Sequence, residues 1–195
     1  MTLDKNRKLI LASQSPRRAE LLKRIERDFD VFPSSVEEVL DPDRSPMENA
    51  VDLAREKARR VADRYRGCFV VGADTLVTLG GRILGKPSDM NDARGILRFL
   101  SGREHQVVTG VAVVNDRGEI FADAETSAVS IKPLTEDEID RYIDTGEPMD
   151  KAGAYAIQGA GSFMVESYRG SFSNIVGLPL ETLDRLLKLS GYFAV

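Results

Sequence analysis

Four polar residues crowd one short stretch near the start of the chain. They are Ser13, Ser15, Arg17 and Arg18, within Leu9-Ile10-Leu11-Ala12-Ser13-Gln14-Ser15-Pro16-Arg17-Arg18-Ala19-Glu20-Leu21-Leu22. The apolar run reads as a buried strand. Ser15-Pro16 then opens a helix, with Ser15 as N-cap and Pro16 at the first helical position. Backbone N–H groups at a helix N-terminus attract anions. Two guanidiniums in that first turn oppose the helix dipole, so a bound anion would neutralise them. The same residues also fit a solvated arginine pair on a surface helix.

Carboxylates form a second group. Asp74 closes the β-rich run Phe69-Val70-Val71-Gly72-Ala73-Asp74-Thr75, and the spacing places it at a strand end. In open α/β sheets, ligands bind beyond the carboxyl ends of strands. A carboxylate there can act as a general base or a metal ligand, or simply cap a turn. Glu38 lies in an acidic loop with Glu37, Asp41 and Asp43, and by itself reads as a solvated charge. A third stretch, Lys151-Ala152-Gly153-Ala154-Tyr155-Ala156-Ile157-Gln158-Gly159, is made of small residues around one amide. Small residues admit close backbone approach. The planar amide of Gln158 offers a donor and an acceptor, which suits a nucleobase edge. A tight packing loop with a surface Gln is the plainer alternative.

Two other patterns fail on inspection. Gly80, Gly85 and Lys86 match the first part of a Walker A loop, but Pro87 stands where a Ser or Thr must bind magnesium, and the match lies on a hairpin. Lys86 can still meet phosphate as a point charge. His105 is the sole histidine, and no Gly-x-Ser-x-Gly elbow accompanies it, so it reads as structural.

The elements that must position these residues follow in order. Leu21, Leu22 and Ile25 face the first helix inward, and Phe29 to Phe32 is a short strand ending at Pro33. Ser45-Pro46-Met47-Glu48 is a capping box. It starts a helix predicted to reach about Tyr65, with Val51, Ala54, Ala58, Val61, Ala62 and Tyr65 on one face, Lys57 at its flank, and Arg55, Arg59, Arg60 and Arg64 solvated. Leu76 to Leu84 reads as a hairpin around Gly80-Gly81. A helix through Met90, Ala93, Leu97 and Leu100 ends at Gly102. Gln106 to Val114 and Glu119 to Ile131 pair as strands across Asp116-Arg117-Gly118. Thr135 to Glu138 caps another helix, which Gly146 stops. Ser162 to Tyr168 is expected as a strand, Ser171 to Gly177 as a loop, and Pro179 starts a last helix closed by Gly191. Strands interleaved with helices make an α/β protein with a mixed sheet.

Composition narrows the class. The chain has 195 residues, which suits one globular domain of one or two lobes. A net charge of -4 argues against a general nucleic-acid binder. One cysteine, Cys68, rules out an internal disulfide framework and reads as a buried strand thiol. No run of roughly 18 apolar residues exists to span a membrane. Met1 to Lys8 is charged and lacks the apolar core of a signal peptide, so a cytoplasmic protein is expected.

Several stretches, in this order, resemble one family over nearly the whole chain. They are Leu11-Ala12-Ser13-Gln14-Ser15-Pro16-Arg17-Arg18, Glu56-Lys57-Ala58, Gly72-Ala73-Asp74-Thr75, Gly85-Lys86-Pro87, Ser101-Gly102-Arg103-Glu104-His105, Glu147 to Gly159, and Asn174-Ile175-Val176-Gly177-Leu178-Pro179. Together they resemble the Maf nucleoside triphosphate pyrophosphatases. The resemblance implies a single Maf-like domain over 1–195, a two-lobed α/β fold with a mixed twisted sheet flanked by helices around a central cleft, similar to inosine triphosphate pyrophosphatases. It implies hydrolysis of a nucleoside triphosphate to the monophosphate and pyrophosphate with Mg2+ or Mn2+, as a hydrolase that clears the nucleotide pool.

By the same resemblance, Ser13, Ser15, Arg18, Lys57 and Lys86 would cradle the triphosphate. Glu38 and Asp74 would hold the metal, and Asp74 would also take a proton from the attacking water. Arg17, Thr75 and Gln158 match the subgroup acting on dTTP and UTP, modified pyrimidine nucleotides included. The subgroup acting on 7-methyl-GTP is one alternative, and a non-enzymatic nucleotide sensor in septum formation is another. The implied partner is the nucleotide alone, with no nucleic acid and no membrane, and a homodimer is left open.

Overall fold

A computed structural model of the chain describes residues 8–193. The charged lead-in read at Met1 to Lys8 lies, apart from Lys8, outside the described residues. Seven strands form one mixed sheet: β1 (Leu9–Leu11), β2 (Phe29–Val31), β3 (Phe69–Leu79), β4 (Arg82–Leu84), β5 (Glu104–Val114), β6 (Ile120–Ile131) and β7 (Val165–Arg169), in the order β2-β1-β3-β5-β6-β7 with β4 on β3. β1 runs parallel to β2 and β3, with Leu11 opposite Val31 and Val71. β4 is antiparallel to β3, and β7 to β6. Six helices accompany them: α1 (Pro16–Leu22), α2 (Pro46–Ala62), α3 (Met90–Leu100), α4 (Glu136–Ile143), α5 (Phe172–Val176) and α6 (Leu180–Leu189). The expected mixed sheet flanked by helices is therefore present. Among the described residues, no helix is long and apolar enough to cross a membrane.

The chain divides into two compact units. The first takes the chain up to Asp74, then Thr109–Glu125, then Gly177 onward. Where α2 meets the sheet its core is a cluster of small and β-branched side chains, Ile10, Ala12, Ala54, Ala58, Val61, Val70, Ala112 and Val114, and larger groups such as Leu9, Leu22, Phe69, Leu183 and Leu187 are buried in the same unit. The second takes Thr75–Val108 and Thr126–Val176. Its core holds larger groups, among them Leu97, Leu100, Ile131, Ile139, Tyr142 and Met164.

In the first unit α2 approaches the sheet unusually closely, and two glycines make that approach possible. A Cβ on Gly72 would lie 2.3 Å from Ala54 O, and one on Gly110 would lie 2.2 Å from Ala50 O. Ala50, Ala54 and Ala58 recur every fourth residue, so one smooth helical stripe lies against bare strand backbone. The capping box starts this helix as expected: Ser45 Oγ accepts from Glu48 N at 3.3 Å, and Glu48 Oε2 accepts from Ser45 N at 2.9 Å.

Several boundaries differ from the sequence expectation. Asp74 does not end a strand, because β3 continues unbroken to Leu79; the run is buried on both faces, so no alternation marks a stop. α1 ends at Leu22 and leaves Ile25 in the following turn, while α2 ends at Ala62, short of Tyr65. Met90 is exposed, and Ile96 packs inward instead. A 3-10 segment over Gly159–Met164 delays β7 to Val165. The expected loop at Ser171 to Gly177 contains α5. Ser171 Oγ caps it by accepting from Asn174 N, and the Asn174 amide donates to Val107 O at 3.0 Å and Ser127 Oγ at 2.9 Å. The Ser171 cap is local, but the two bonds made by the Asn174 amide are remote in sequence. Cys68 is half-buried, just outside β3.

Candidate active site

The turn between β1 and α1 folds as its residues dictate. Ala12 N donates to Val71 O, which carries the β1–β3 ladder to the start of the turn. Ser15 caps α1, accepting from Arg18 N at 3.4 Å, with Pro16 in the first turn. Ser13 is buried, and its Oγ accepts from Ser15 N at 3.1 Å and from the Arg18 guanidinium at 3.4 Å. Arg18 Nε donates to Gly177 O at 2.8 Å. The guanidinium is thus held from two sides of the first unit. Burial pulls its pKa below the ordinary arginine value, while Asp74 and Glu38 pull it up and Arg17 pulls it down. Arg17 is half-buried on the same turn.

Lys57 is the hub of the first unit. Sequence reading placed it at the flank of the α2 stripe, but it is only 6% exposed. Its Nζ donates to Asp74 Oδ1 at 2.5 Å and to Glu38 Oε1 at 2.6 Å. The close seating of α2 on Gly72 explains the reach, since Lys57 precedes Ala58 and Asp74 lies two residues after Gly72 on β3. Burial raises the Asp74 carboxyl above its ordinary range, opposed by Lys57 and Arg18 and assisted by Glu38. Asp74 is 4% exposed, whereas Glu38 reaches in from an exposed loop.

Both carboxylates meet one ammonium, so their oxygens lie within about 5 Å of each other. Two hard oxygen donors fit Mg2+ or Mn2+, ions that fill their coordination with water and substrate phosphates. Among the described residues, no group of three or more His, Cys, Asp or Glu side chains forms a cage for a metal ion.

The second unit holds Thr75, Lys86 and Gln158. Thr75 is half-buried on β3, directly after Asp74, while Lys86 and Gln158 are exposed. The backbone beneath the exposed pair is tied down. Gly153 N donates to Gly85 O at 3.0 Å, joining the Gln158 stretch to the Lys86 turn. Gly153 has φ +71, and a Cβ there would meet Val77 Cγ1 at 2.9 Å. Tyr155 is buried and shares a 2.7 Å hydrogen bond with His105 Nε2. Burial lowers the His105 pKa to about 4 and pushes the Tyr155 hydroxyl up. His105 is structural, as its sequence context indicates.

Sequence reading passed over Glu147. Its Oε1 accepts from Tyr142 Oη at 3.0 Å and Gly161 N at 3.1 Å, and its Oε2 accepts from Ala160 N at 3.0 Å. A carboxylate so placed grips the backbone just after Gln158. Only the motif Glu147-Pro148 before the Gly/Ala-rich stretch could have drawn attention to it.

A capped helix start holding Arg18, beside a buried lysine shared by two carboxylates, has the chemistry to meet the phosphate groups of an anionic substrate, and the carboxylates are hard oxygen donors of the kind a divalent cation takes. Comparison with known proteins narrows that chemistry. The family model described as Maf-like protein matches residues 8–190. The dTTP/UTP pyrophosphatase of Caldicellulosiruptor saccharolyticus is 48% identical over 191 residues, covering 95% of this chain and 96% of that one. The dTTP/UTP pyrophosphatase of Thermococcus gammatolerans is 50% identical over 181 residues, covering 93% and 96%. Among solved structures, the nucleoside-triphosphatase / dITP/XTP pyrophosphatase of Mycobacterium abscessus aligns with 96% of this chain and 98% of its own, with TM-score 0.45 and 18% identity. The chain belongs to the Maf family.

Proposed function

We propose that this chain is a nucleoside triphosphate pyrophosphatase, one Maf-like domain that hydrolyses dTTP and UTP to the monophosphate and pyrophosphate in the cytoplasm. The observation that carries this reading is the buried Lys57 shared by Asp74 and Glu38, in the unit that also holds Arg18 at the α1 turn. The near-full-length identity to dTTP/UTP pyrophosphatases supports the substrate assignment.

The chemistry follows from charge and position. Ser13, Ser15 and Arg18 offer donors to phosphate oxygens, with Lys57 and Lys86 as point charges. Fixed donors and charges stabilise the charge that shifts as the anhydride breaks. Glu38 and Asp74 would hold Mg2+ or Mn2+, whose charge neutralises the α- and β-phosphates. Water adds its oxygen across the α–β anhydride, pyrophosphate leaves, and Asp74 accepts the water's proton.

Base selection is assigned to Gln158, Arg17 and Thr75. Gln158 donates to O4 and accepts from N3–H of thymine or uracil. A flipped amide would suit cytosine equally well. Arg17, a group that only donates, breaks that tie at O4, and Thr75 fixes the geometry. The test is a panel of nucleoside triphosphates with Mg2+ or Mn2+ and product analysis. dTTP and UTP are expected as good substrates, CTP weaker and purine triphosphates poor. Preference for 7-methyl-GTP over both pyrimidines would remove Arg17, Thr75 and Gln158 as base readers. Binding without turnover would leave a nucleotide sensor.

A further inference from the structure

Gln158 is exposed, on extended backbone at φ -114 and ψ 157. An exposed side chain aims no better than the backbone beneath it. The question is therefore what fixes that backbone. On the N-terminal side the nearest described anchor is Tyr155, three residues away, through its bond to His105. On the C-terminal side the anchor is immediate. Gly159 has φ +82, and a Cβ there would lie 2.6 Å from Glu147 Oε2. The next two N–H groups, on Ala160 and Gly161, both donate to the Glu147 carboxylate.

Glu147 is in turn fixed to the core of the second unit. Its carboxylate accepts from Tyr142, which is 2% exposed on α4, and its own N–H donates to Thr145 Oγ1 at 3.2 Å. A continuous link therefore runs from α4 through Tyr142 and Glu147 to the residue after Gln158. Burial pushes the Glu147 carboxyl up. The N–H groups of Ala160 and Gly161, the Tyr142 hydroxyl and nearby Lys151 outweigh this and leave it below the ordinary range. The carboxylate is thus the form the loop is built around.

We propose that Glu147 is a positioning residue for base recognition: it sets the backbone at Gly159–Gly161 and so aims the Gln158 amide. The inference rests on the assignment of Gln158 as a base reader. Glu147 touches no substrate. It keeps the Gln158 amide within reach of the base edge, and a displaced backbone would carry the amide away from O4 and N3, so the affinity and selectivity that Gln158 contributes would fall with it.

The test is a double-mutant cycle on the full chain with UTP, dTTP and CTP. Glu147→Gln keeps the shape but turns an NH2 group toward one backbone N–H, which loses one charge-assisted bond. KM for UTP and dTTP should rise about tenfold, the scale of one hydrogen bond to a charged group. The value of kcat should stay within about twofold, since the loss is of binding rather than chemistry. The UTP-to-CTP ratio of kcat/KM should fall toward that of Gln158→Ala. In the Gln158→Ala background, Glu147→Gln should add less than about twofold. A merely structural role would instead lower the active fraction, reduce kcat equally for UTP and CTP, and add the same factor in both backgrounds; that result would overturn the proposal. If Glu147→Gln does not fold, Glu147→Asp enters the same cycle, with the same outcomes deciding. If Gln158→Ala leaves both KM and the UTP-to-CTP ratio unchanged, the base-reading assignment has failed and Glu147 falls with it. If Gln158→Ala changes them but the cycle is additive, only the role of Glu147 fails.

Discussion

In the first unit Ser13, Lys57 and Asp74 are buried, and they pair with one another or with half-buried Arg18 and exposed Glu38. In the second, Lys86 and Gln158 are exposed, and what is ordered is the backbone beneath them. The first arrangement makes strong fields. Lys57 and Asp74 meet where little water screens them, and each shifts the other's environment. The second presents exposed side chains on irregular backbone, built from 3-10 turns and positive-φ residues such as Gly153, Ala154 and Gly159. The packing beneath differs in the same sense. Alanines and glycines in the first unit bring backbone to backbone, so one lysine can cross from helix to strand. In the second unit the backbone after Gln158 is held instead by specific hydrogen bonds from Ala160 and Gly161 to Glu147. Close packing brings charges together in the first unit, and hydrogen bonds pin irregular backbone in the second.

The comparison breaks most clearly at Asp74. Asp74→Asn keeps the shape and removes the charge and the proton acceptor, so turnover should fall at least about a hundredfold with UTP and dTTP alike. Near-normal steady-state rates in the folded variant would take Asp74 out of the chemistry. The packing under the charge cluster comes next. Gly72→Ala would place a methyl 2.3 Å from Ala54 O, forcing α2 away from β3. Stability should drop by about 2 kcal/mol, the scale of overpacking, and activity should fall with it as Lys57 moves from Asp74. Denaturant unfolding and kcat on one sample check both halves, and a loss of stability with full kcat would show that the close approach does not set the Lys57 contact.

In the second unit, Gln158→Glu should lower kcat/KM for UTP and dTTP about tenfold, because a carboxylate cannot donate to O4. Thermal unfolding should stay at the wild-type midpoint, since the residue is exposed. Loss of the midpoint instead would make Gln158 part of the packing. The smallest expected effect is on pH dependence. His105 is buried with a pKa of about 4, below its ordinary value of 6.5, so only the unfolded chain protonates between those values. Stability should therefore fall as pH drops, by about 1 kcal/mol between about pH 7 and about pH 5.5 from this group alone. His105→Gln should flatten that slope in urea titrations, and an unchanged slope would move its origin elsewhere.

Much of this molecule is written locally. Ser15-Pro16 and Ser45-Pro46-Met47-Glu48 announced helix starts that the structure keeps, because a cap satisfies backbone groups within three residues of itself. The Gly80-Gly81 hairpin and the α3 stop at Gly102 are equally local. The motifs of the family are legible along the chain in the same way, and the proposed site residues are drawn from them.

What the sequence could not express is distance in space. Asp74 looked like a strand end, because a strand buried on both faces gives no alternation to mark where it continues. Lys57 looked peripheral, because its burial comes from Gly72 and Gly110 on two strands remote from it in the chain. The backbone that Glu147 holds lies thirteen and fourteen residues on, and the Asn174 amide in α5, a stretch expected as a loop, reaches partners 47 and 67 residues away. Caps and turns are settled by neighbours along the chain. Burial, shared protons and the aim of a side chain are settled by groups that only folding brings within a few ångströms.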